Sequence, residues 1–589
     1  MTHGKLMLTR QTLSKSVGGP KAPKDPTKKR PYFFIMQGKE IFGAPQPDGG
    51  GVQFLYMDCG RLIDAARLSG NIQDEYMLDL LKTSQGFKTV VHSIGVSVSG
   101  RDSKEPVRFV LEMYPNHPGE KATQIKKDLF MDGMETVINL EDIDFEPSDK
   151  EVGQIRFEFG TSKVQGDADV RFYLNQGFIA PVQPMEQMVD FNSSGYRKMI
   201  SKSLMHVGNT VRLEKVLSKA GSGENVTLSF IGGSITQGAG AIPLNEKCYA
   251  RVFAQSFEKK YCKGGKVNFI KAGVGGTPSE LGMIRFERDV LRDYAEKPDL
   301  IVIEFAVNDE GDETKGVCYE SLVRKALSLP WKPAVVLLFA VFSFDWNLQD
   351  RLGPVGIRYD LPMVSVLDAV TEQFKLLPED GRVISKNQFF YDVYHPSNLG
   401  HQIMSDCLIN LIDSVNESRD TSYEEDDKLP CPVIGGDFEK VELLDKKELE
   451  ALKRKYKISK LEAGSFEDVD KDLQLVEMDE EIVPKPEFPG NWAYNGKDTD
   501  VKPFVMNINC SKLLLVFKDS GSALFGTAEV FVDEKKVKDV NPLEVGWTHC
   551  NAVIILNEEK NRQHKVEIKM ANGMNDKKFT ILGFGVVRE

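Results

Sequence analysis

The chain has 589 residues, too many for one ordinary domain and enough for about three or four. Its 75 Lys and Arg against 87 Asp and Glu give a formal charge of −12, which argues against nucleic acid or an anionic membrane surface as a main partner. Its apolar fraction is ordinary for a soluble globular protein, and no run approaches the length of a transmembrane helix.

Residues 1–30 are basic and polar and lack the apolar core of a secretory signal, so a flexible tail and a cytoplasmic protein are expected. From 31 to 185 the pattern is mostly β. Val107–Tyr114, Ile155–Phe159 and Val170–Leu174 are rich in β-branched and aromatic residues and are punctuated by Gly, Pro, Asp and Asn. A β-sandwich is the economical reading, interrupted by one helix-like stretch, Gln73–Lys82.

Between 186 and 415 strand and helix alternate. Val226–Ile231, Val267–Ile270, Leu300–Ala306, Ala334–Ala340 and Met363–Val366 read as short apolar strands. Cys248–Tyr261, Asn347–Tyr359 and His401–Val415 read as helices. Nearly continuous apolar strands between helices predict a parallel sheet covered on both faces, with its site at the carboxyl ends of the strands. Residues 416–485 are rich in charge and read as a solvated connector, with one helix at Leu443–Tyr456. From Pro486 the chain turns to β again, at Leu513–Phe517, Ala528–Val532, Val553–Leu556, Val566–Lys569 and Thr580–Val587; a jelly roll or related sandwich is expected for 486–589. The eight cysteines are scattered, with no CxxC pair, which suggests neither a zinc site nor a disulfide framework.

Four short blocks carry the chemistry. In IGGSITQG (231–238), Ser234 sits on a glycine turn directly after a strand, where glycine allows a sharp bend and keeps the approach to the hydroxyl clear. Gly275 and Gly276 follow the second strand, Asn308 follows the third, and Asp392 and His395 stand in YDVYHP (391–396) before a helix. A serine hydroxyl near neutral pH needs a base within hydrogen-bond reach. His395 is the candidate base, and Asp392, three residues earlier, can fix its tautomer and stabilise the imidazolium. His401 is expected to pack or hydrogen-bond locally, and His206 and His549 have no context that singles them out. Phe344 and Trp346 are candidates to line a substrate pocket, with core packing as the competing role; Trp492 and Trp547 are weaker sugar-platform candidates.

The blocks FIGGSITQGAG, KAGVGGTPSE, IEFAVNDE and YDVYHPSNLGHQIMS resemble, in order and in strand-then-loop context, the four blocks of the SGNH (GDSL-like) hydrolase family, over about residues 205–415. The resemblance implies an α/β fold: a central flavodoxin-like three-layer hydrolase domain with a parallel sheet, flanked by N-terminal and C-terminal β-sandwich or jelly-roll-like domains. It implies Ser234, His395 and Asp392 as the catalytic residues, and an oxyanion hole made by the backbone N–H groups of Ser234 and Gly276 and the side-chain amide of Asn308. The chain departs from the pattern at Gly233, where many members have aspartate, at Ala306, where glycine is usual, and at Lys271, where asparagine is common; these positions bear on substrate class more than on catalysis.

The last β-rich region is similar to the small β-domains attached to carbohydrate-active members. The expected function is therefore a serine esterase that deacetylates carbohydrates, such as acetylated xylo- or manno-oligosaccharides, with no metal or cofactor. A lipid esterase or thioesterase of the same family, and a carbohydrate-binding protein that has lost activity, are the alternatives. Neither nucleic acid nor membrane is expected as a partner, and assembly into a homo-oligomer stays open.

Overall fold

The computed structural model describes residues 30–588 apart from 47, 101–104, 118, 184, 419–427, 448, 456 and 499, so the basic tail expected over 1–30 lies almost wholly outside the described residues.

Five strands of a six-stranded sheet run parallel in the order Met363–Ser365, Ala334–Phe339, Leu300–Glu304, Val226–Gly232 and Val267–Gly273; Leu204–His206 adds an antiparallel edge. Alternate residues of these strands feed two separate apolar clusters. Leu228, Phe230, Leu300, Val302, Val336 and Leu338 enter one, while Ile231, Ile301, Ile303, Val335, Leu337 and Phe339 enter the other. A sheet buried on both faces has no polar side to show, which is why these strands read as unbroken apolar runs.

Strand register sets the site. Gly232 is opposite Gly273 on one side and Glu304 on the other, so three strands finish level. The loops that follow, carrying Ser234, Gly276 and Asn308, therefore leave the sheet at one place. It is also where strand order reverses, since Val226–Gly232 is flanked by the next two strands in sequence.

Two antiparallel sheets precede this region. Four strands (Tyr32–Phe42, Gln165–Leu174, Val91–Ser99, Thr136–Asn139) and five (Ala44–Pro45, Gly51–Tyr56, Asp149–Phe159, Val107–Pro115, Gln124–Leu129) share one core containing Phe33, Phe109, Phe157 and Phe172. The helix expected at Gln73–Lys82 is shorter, Glu75–Leu80, and is followed by Ser84–Val90. Asp74 and Thr83 start them by accepting backbone N–H bonds, and the residues between turn too tightly for one continuous helix. The helix Arg61–Leu68 was not legible in the sequence.

The charged stretch after 428 is not the solvated connector expected. Phe438, Val441, Phe466, Leu473 and Val476 are buried, and Glu442–Leu444, which includes the first two residues of the expected helix, is a strand paired with Val586–Phe584. Within the expected Leu443–Tyr456, Leu449–Lys455 is helical, and 448 and 456 lie outside the described residues. Closing the edge of the last sheet takes precedence over the helical pattern there.

That sheet is antiparallel and built on two long strands, Phe504–Asp519 and His549–Met570. Val553–Leu556 and Val566–Lys569, expected as separate strands, are parts of the second; the residues between them stay extended and mostly exposed, with His564 buried. Leu513, Leu515 and Phe517 face a cluster of the sheet's own, while Leu514 and Val516 join Leu281 and Ile284 of the central region. Trp492 is 1% exposed and packs edge-on to Phe504 at 5.5 Å, so it is a core residue and offers no sugar platform.

Candidate active site

Ser234 opens the short helix Ser234–Gln237 immediately after Gly233. Its Oγ lies 3.0 Å from His395 Nε2, and His395 Nδ1 lies 2.9 Å from Asp392 Oδ2. Asp392 Oδ1 accepts the backbone N–H groups of Tyr394 and His395, each at 2.8 Å. Burial alone would raise this carboxyl, but the charge and hydrogen bonds of His395 and the two N–H donors outweigh it and hold it below the usual carboxylate range. Asp392 thus stays ionised against the ring nitrogen.

The serine loop is pinned from behind by His401. This buried ring lies between Tyr249 N and Ala239 O, each 3.1 Å away, on the helix Asn398–Glu417. Burial depresses its pKa to about 4, so it is neutral, with Nδ1 accepting and Nε2 donating.

Gly276 is in the left-handed region at φ +72. Gly275 N–H is already given to Gln237 Oε1 at 2.8 Å, which leaves Gly276 N–H as the donor this loop can offer. Asn308 lies against Gly233 so closely that a Cβ there would come within 2.1 Å of its Oδ1. With the amide in this position, a side chain at 233 would have to displace it. Asp309 fixes the Asn308 loop to the helix Ser279–Ile284 by accepting from Ser279 N and Oγ, both at 2.8 Å.

Glu304 ends the third strand beneath this turn and accepts from Thr236 Oγ1 at 3.0 Å, while its Oε1 has no partner. Burial raises its pKa to about 8. A carboxyl that is neutral in the fold and charged in the unfolded chain binds a proton on folding between the ordinary carboxylate range and about pH 8, so folding becomes less favourable as pH rises through that window. The melting temperature of the native protein should accordingly fall between about pH 5 and pH 8 by more than that of Glu304→Gln, whose amide does not titrate. Parallel melting curves against pH would refute this.

Several residues here have no signal in the sequence, Trp547, a weak candidate, excepted. Lys39, from the first N-terminal strand, is 4% exposed and donates to the carbonyls of Asn387 (2.7 Å) and Phe390, holding the segment that leads to Asp392. Burial lowers its pKa to about 8, partly offset by Glu40, Asp392 and Glu186. Gln474 donates to Gly275 O and accepts from Cys550 N, both at 2.8 Å, linking the oxyanion loop to the last sheet. Trp547 and His549 come from that sheet too. A Cβ on Gly276 would lie 2.8 Å from the Trp547 ring and 3.2 Å from His549 Nε2. Trp547 is 42% exposed; His549 is buried, with neither ring nitrogen hydrogen-bonded and Nδ1 3.8 Å from Asp519 Oδ2. Some 270 residues separate these groups from Gly276, and only tertiary structure brings them together.

Of the expected pocket aromatics, Trp346 is half-buried and packs on the core, while Phe344 is exposed beside it. Phe342 joins them to Tyr394 at 5.2 Å between ring centroids. Among the described residues one buried trio, Glu280, Asp312 and Cys318, has metal-ligand chemistry. Asp312 already accepts from Thr314 N, Thr314 Oγ1 and Gly316 N, and burial with the nearby Asp312 charge lifts Glu280 well above the carboxylate range. These groups fit a protonated structural knot.

No helix among the described residues is long and apolar enough to cross a membrane. Residues 230–403 match the GDSL-like Lipase/Acylhydrolase family. A search of curated proteins gives no match. Among solved structures, a two-domain esterase (CEX) active on acetylated mannans, co-crystallised with mannopentaose, is similar at 25% identity and TM-score 0.54, over 66% of this chain and 99% of that one. A second structure of a two-domain esterase (CEX) active on acetylated mannans matches at 24% identity and TM-score 0.53, over 66% of this chain and 98% of that one. With its serine, histidine and carboxylate in one hydrogen-bonded line at the ends of a parallel sheet, the chain carries a GDSL-like acylhydrolase domain and is a carboxylic ester hydrolase.

Proposed function

We propose that this esterase removes acetyl groups from oligosaccharides, such as acetylated xylo- or manno-oligosaccharides, by an acyl-enzyme route through Ser234, His395 and Asp392. The observation that carries the mechanism is the 3.0 Å contact of Ser234 Oγ with His395 Nε2, continued at 2.9 Å to Asp392. His395 Nε2 takes the hydroxyl proton as Oγ bonds to the acetyl carbon. The carbonyl oxygen becomes an oxyanion facing the N–H groups of Ser234 and Gly276 and the amide of Asn308. When the intermediate collapses, the C–O bond to the sugar breaks and His395 returns its proton to the sugar oxygen. Water, deprotonated in turn by His395, then releases acetate and restores Ser234. Asp392 holds the ring and stabilises its charged form.

The sugar part of the reading is supported by Trp547, an exposed indole set directly over Gly276, and by the activity on acetylated mannans of the similar esterase. In architecture we read the central sheet and its helices as a flavodoxin-like three-layer domain, and the flanking sheets as sandwich or jelly-roll-like units.

Acetate release from acetylated oligosaccharides, measured beside an aryl acetate and longer-chain aryl esters, tests the substrate class. Trp547→Ala should lower kcat/KM for the oligosaccharides by about tenfold, as expected for one lost stacking contact, and lower aryl acetate hydrolysis far less. Equal losses on both would give the indole a structural role at Gly276. Deleting residues 486–589 is a poorer test, because it would uncover Leu281 and Ile284 as well.

A further inference from the structure

We propose that the N-terminal sheets supply a sugar subsite on the leaving-group side of Ser234, with Phe54 and Tyr56 as its platform. The inference rests on the acetyl-oligosaccharide reading and adds to it a place for sugar units next to the one deacetylated.

Phe54 and Tyr56 are two residues apart on the strand Gly51–Tyr56 and so point to the same face. Their rings are 6.1 Å apart and within 7° of parallel, and they are 41% and 52% exposed. Each ring keeps about half of its surface open, so the pair offers an apolar contact surface to solvent. Pyranose rings present flat C–H faces of matching size, with hydroxyls around the rim. Polar groups stand where such a rim would fall. Arg61 is held by Asp58 at 2.6 Å and reaches over Tyr56 at 6.0 Å, and Asp64 lies on the next turn of the same helix.

This platform opens on the catalytic loop. Phe54, Tyr56, Arg61 and Asp64 line a cavity of about 240 Å³ whose other wall is Tyr391–His395. Asp64 is near enough to Asp392 and Tyr394 for their charges to influence one another. Gln53, on the same strand, reaches Tyr391 Oη at 3.4 Å, and Lys39, on the other N-terminal sheet that shares its core, holds the start of the loop. The platform is thus fixed relative to His395.

Chemistry decides which half of the ester goes there. The acyl oxygen must face Gly276 and Asn308, on the side of the neighbouring strands. The alcohol oxygen must face His395 Nε2, because that nitrogen protonates it on departure. A cavity walled by His395 and Tyr394 therefore receives the alcohol, which is the sugar chain.

The test compares kcat/KM of the full-length protein for acetylated di- and pentasaccharides, for an aryl acetate, and for an aryl octanoate. The enzyme should gain on going from the shorter to the longer oligosaccharide. Phe54→Ala/Tyr56→Ala should lose that gain, roughly tenfold on the pentasaccharide, and Tyr56→Ala alone should lose part of it should the double variant fold poorly. Phe130→Ala, exposed elsewhere on the N-terminal sheets, should change neither. Three results overturn the subsite. If the native enzyme releases acetate from oligosaccharides but the variants keep the full length-dependence, the platform is idle while the functional reading stands. If the loss falls on the octanoate instead, the cavity holds an acyl chain. If the native enzyme acts on no oligosaccharide, reading and subsite fall together.

Discussion

Ser234→Ala is expected to cut hydrolysis of an aryl acetate by on the order of 10⁶-fold, the scale on which loss of a serine nucleophile acts when the remaining groups cannot substitute for it. Alanine removes only the Oγ that meets His395 at 3.0 Å and adds no bulk to the turn held by the Gln237 N–H to Gly233 O bond. The fold should be unchanged by circular dichroism, and a phosphonate inhibitor that adds to the native protein should leave the variant at its original mass. Hydrolysis near the native rate, or labelling of another residue, would remove Ser234 from the mechanism.

Asp392→Asn should cost about 10⁴-fold, less than loss of the serine but far more than loss of one surface charge. In the native protein Oδ1 takes both backbone N–H groups, and His395 Nδ1 lies 3.0 Å from Oδ1 and 2.9 Å from Oδ2. An amide placed there must put its oxygen toward the two N–H donors, so its NH₂ faces the ring. Where Nδ1 accepts from that NH₂, the ring proton moves to Nε2, and Nε2 can no longer take a proton from Ser234; a neutral side chain also no longer stabilises the imidazolium. In the native enzyme the carboxyl is held below the usual carboxylate range, so it stays ionised beside the ring at neutral pH. kcat/KM should therefore rise with pH in one step, as the imidazole loses its proton. A profile flat between about pH 5 and 8, or a loss under tenfold in the variant, would contradict this arrangement.

What could be read from the sequence follows from how local its cause is. The apolar strands and the glycine turn at Ser234 are set by neighbouring residues, and the spacing of Asp392 and His395 is short enough for a single loop to hold both. These features were legible. The charged stretch from 428 was misread because Phe438, Val441 and Phe466 are single apolar residues in polar surroundings, and only the sheet they pack against gives them a buried face. His549 and Lys39 were unreadable for the same reason: each acts across hundreds of residues, on Gly276 and on the carbonyls before Asp392. Trp492 and Trp547 look alike in sequence, yet one lies in a core and the other at the mouth of the site.

The strand Phe504–Asp519 serves two interiors at once, giving Leu513, Leu515 and Phe517 to one and Leu514 and Val516 to the other. In folding terms this makes it a shared wall. Neither interior can open without stripping partners from the other, so the hydrolase region and the last sheet melt as one cooperative unit. The indole at the site entrance thus comes from just ahead of a strand whose sheet shares its interior with the hydrolase region, even though the chain order would suggest an appendage.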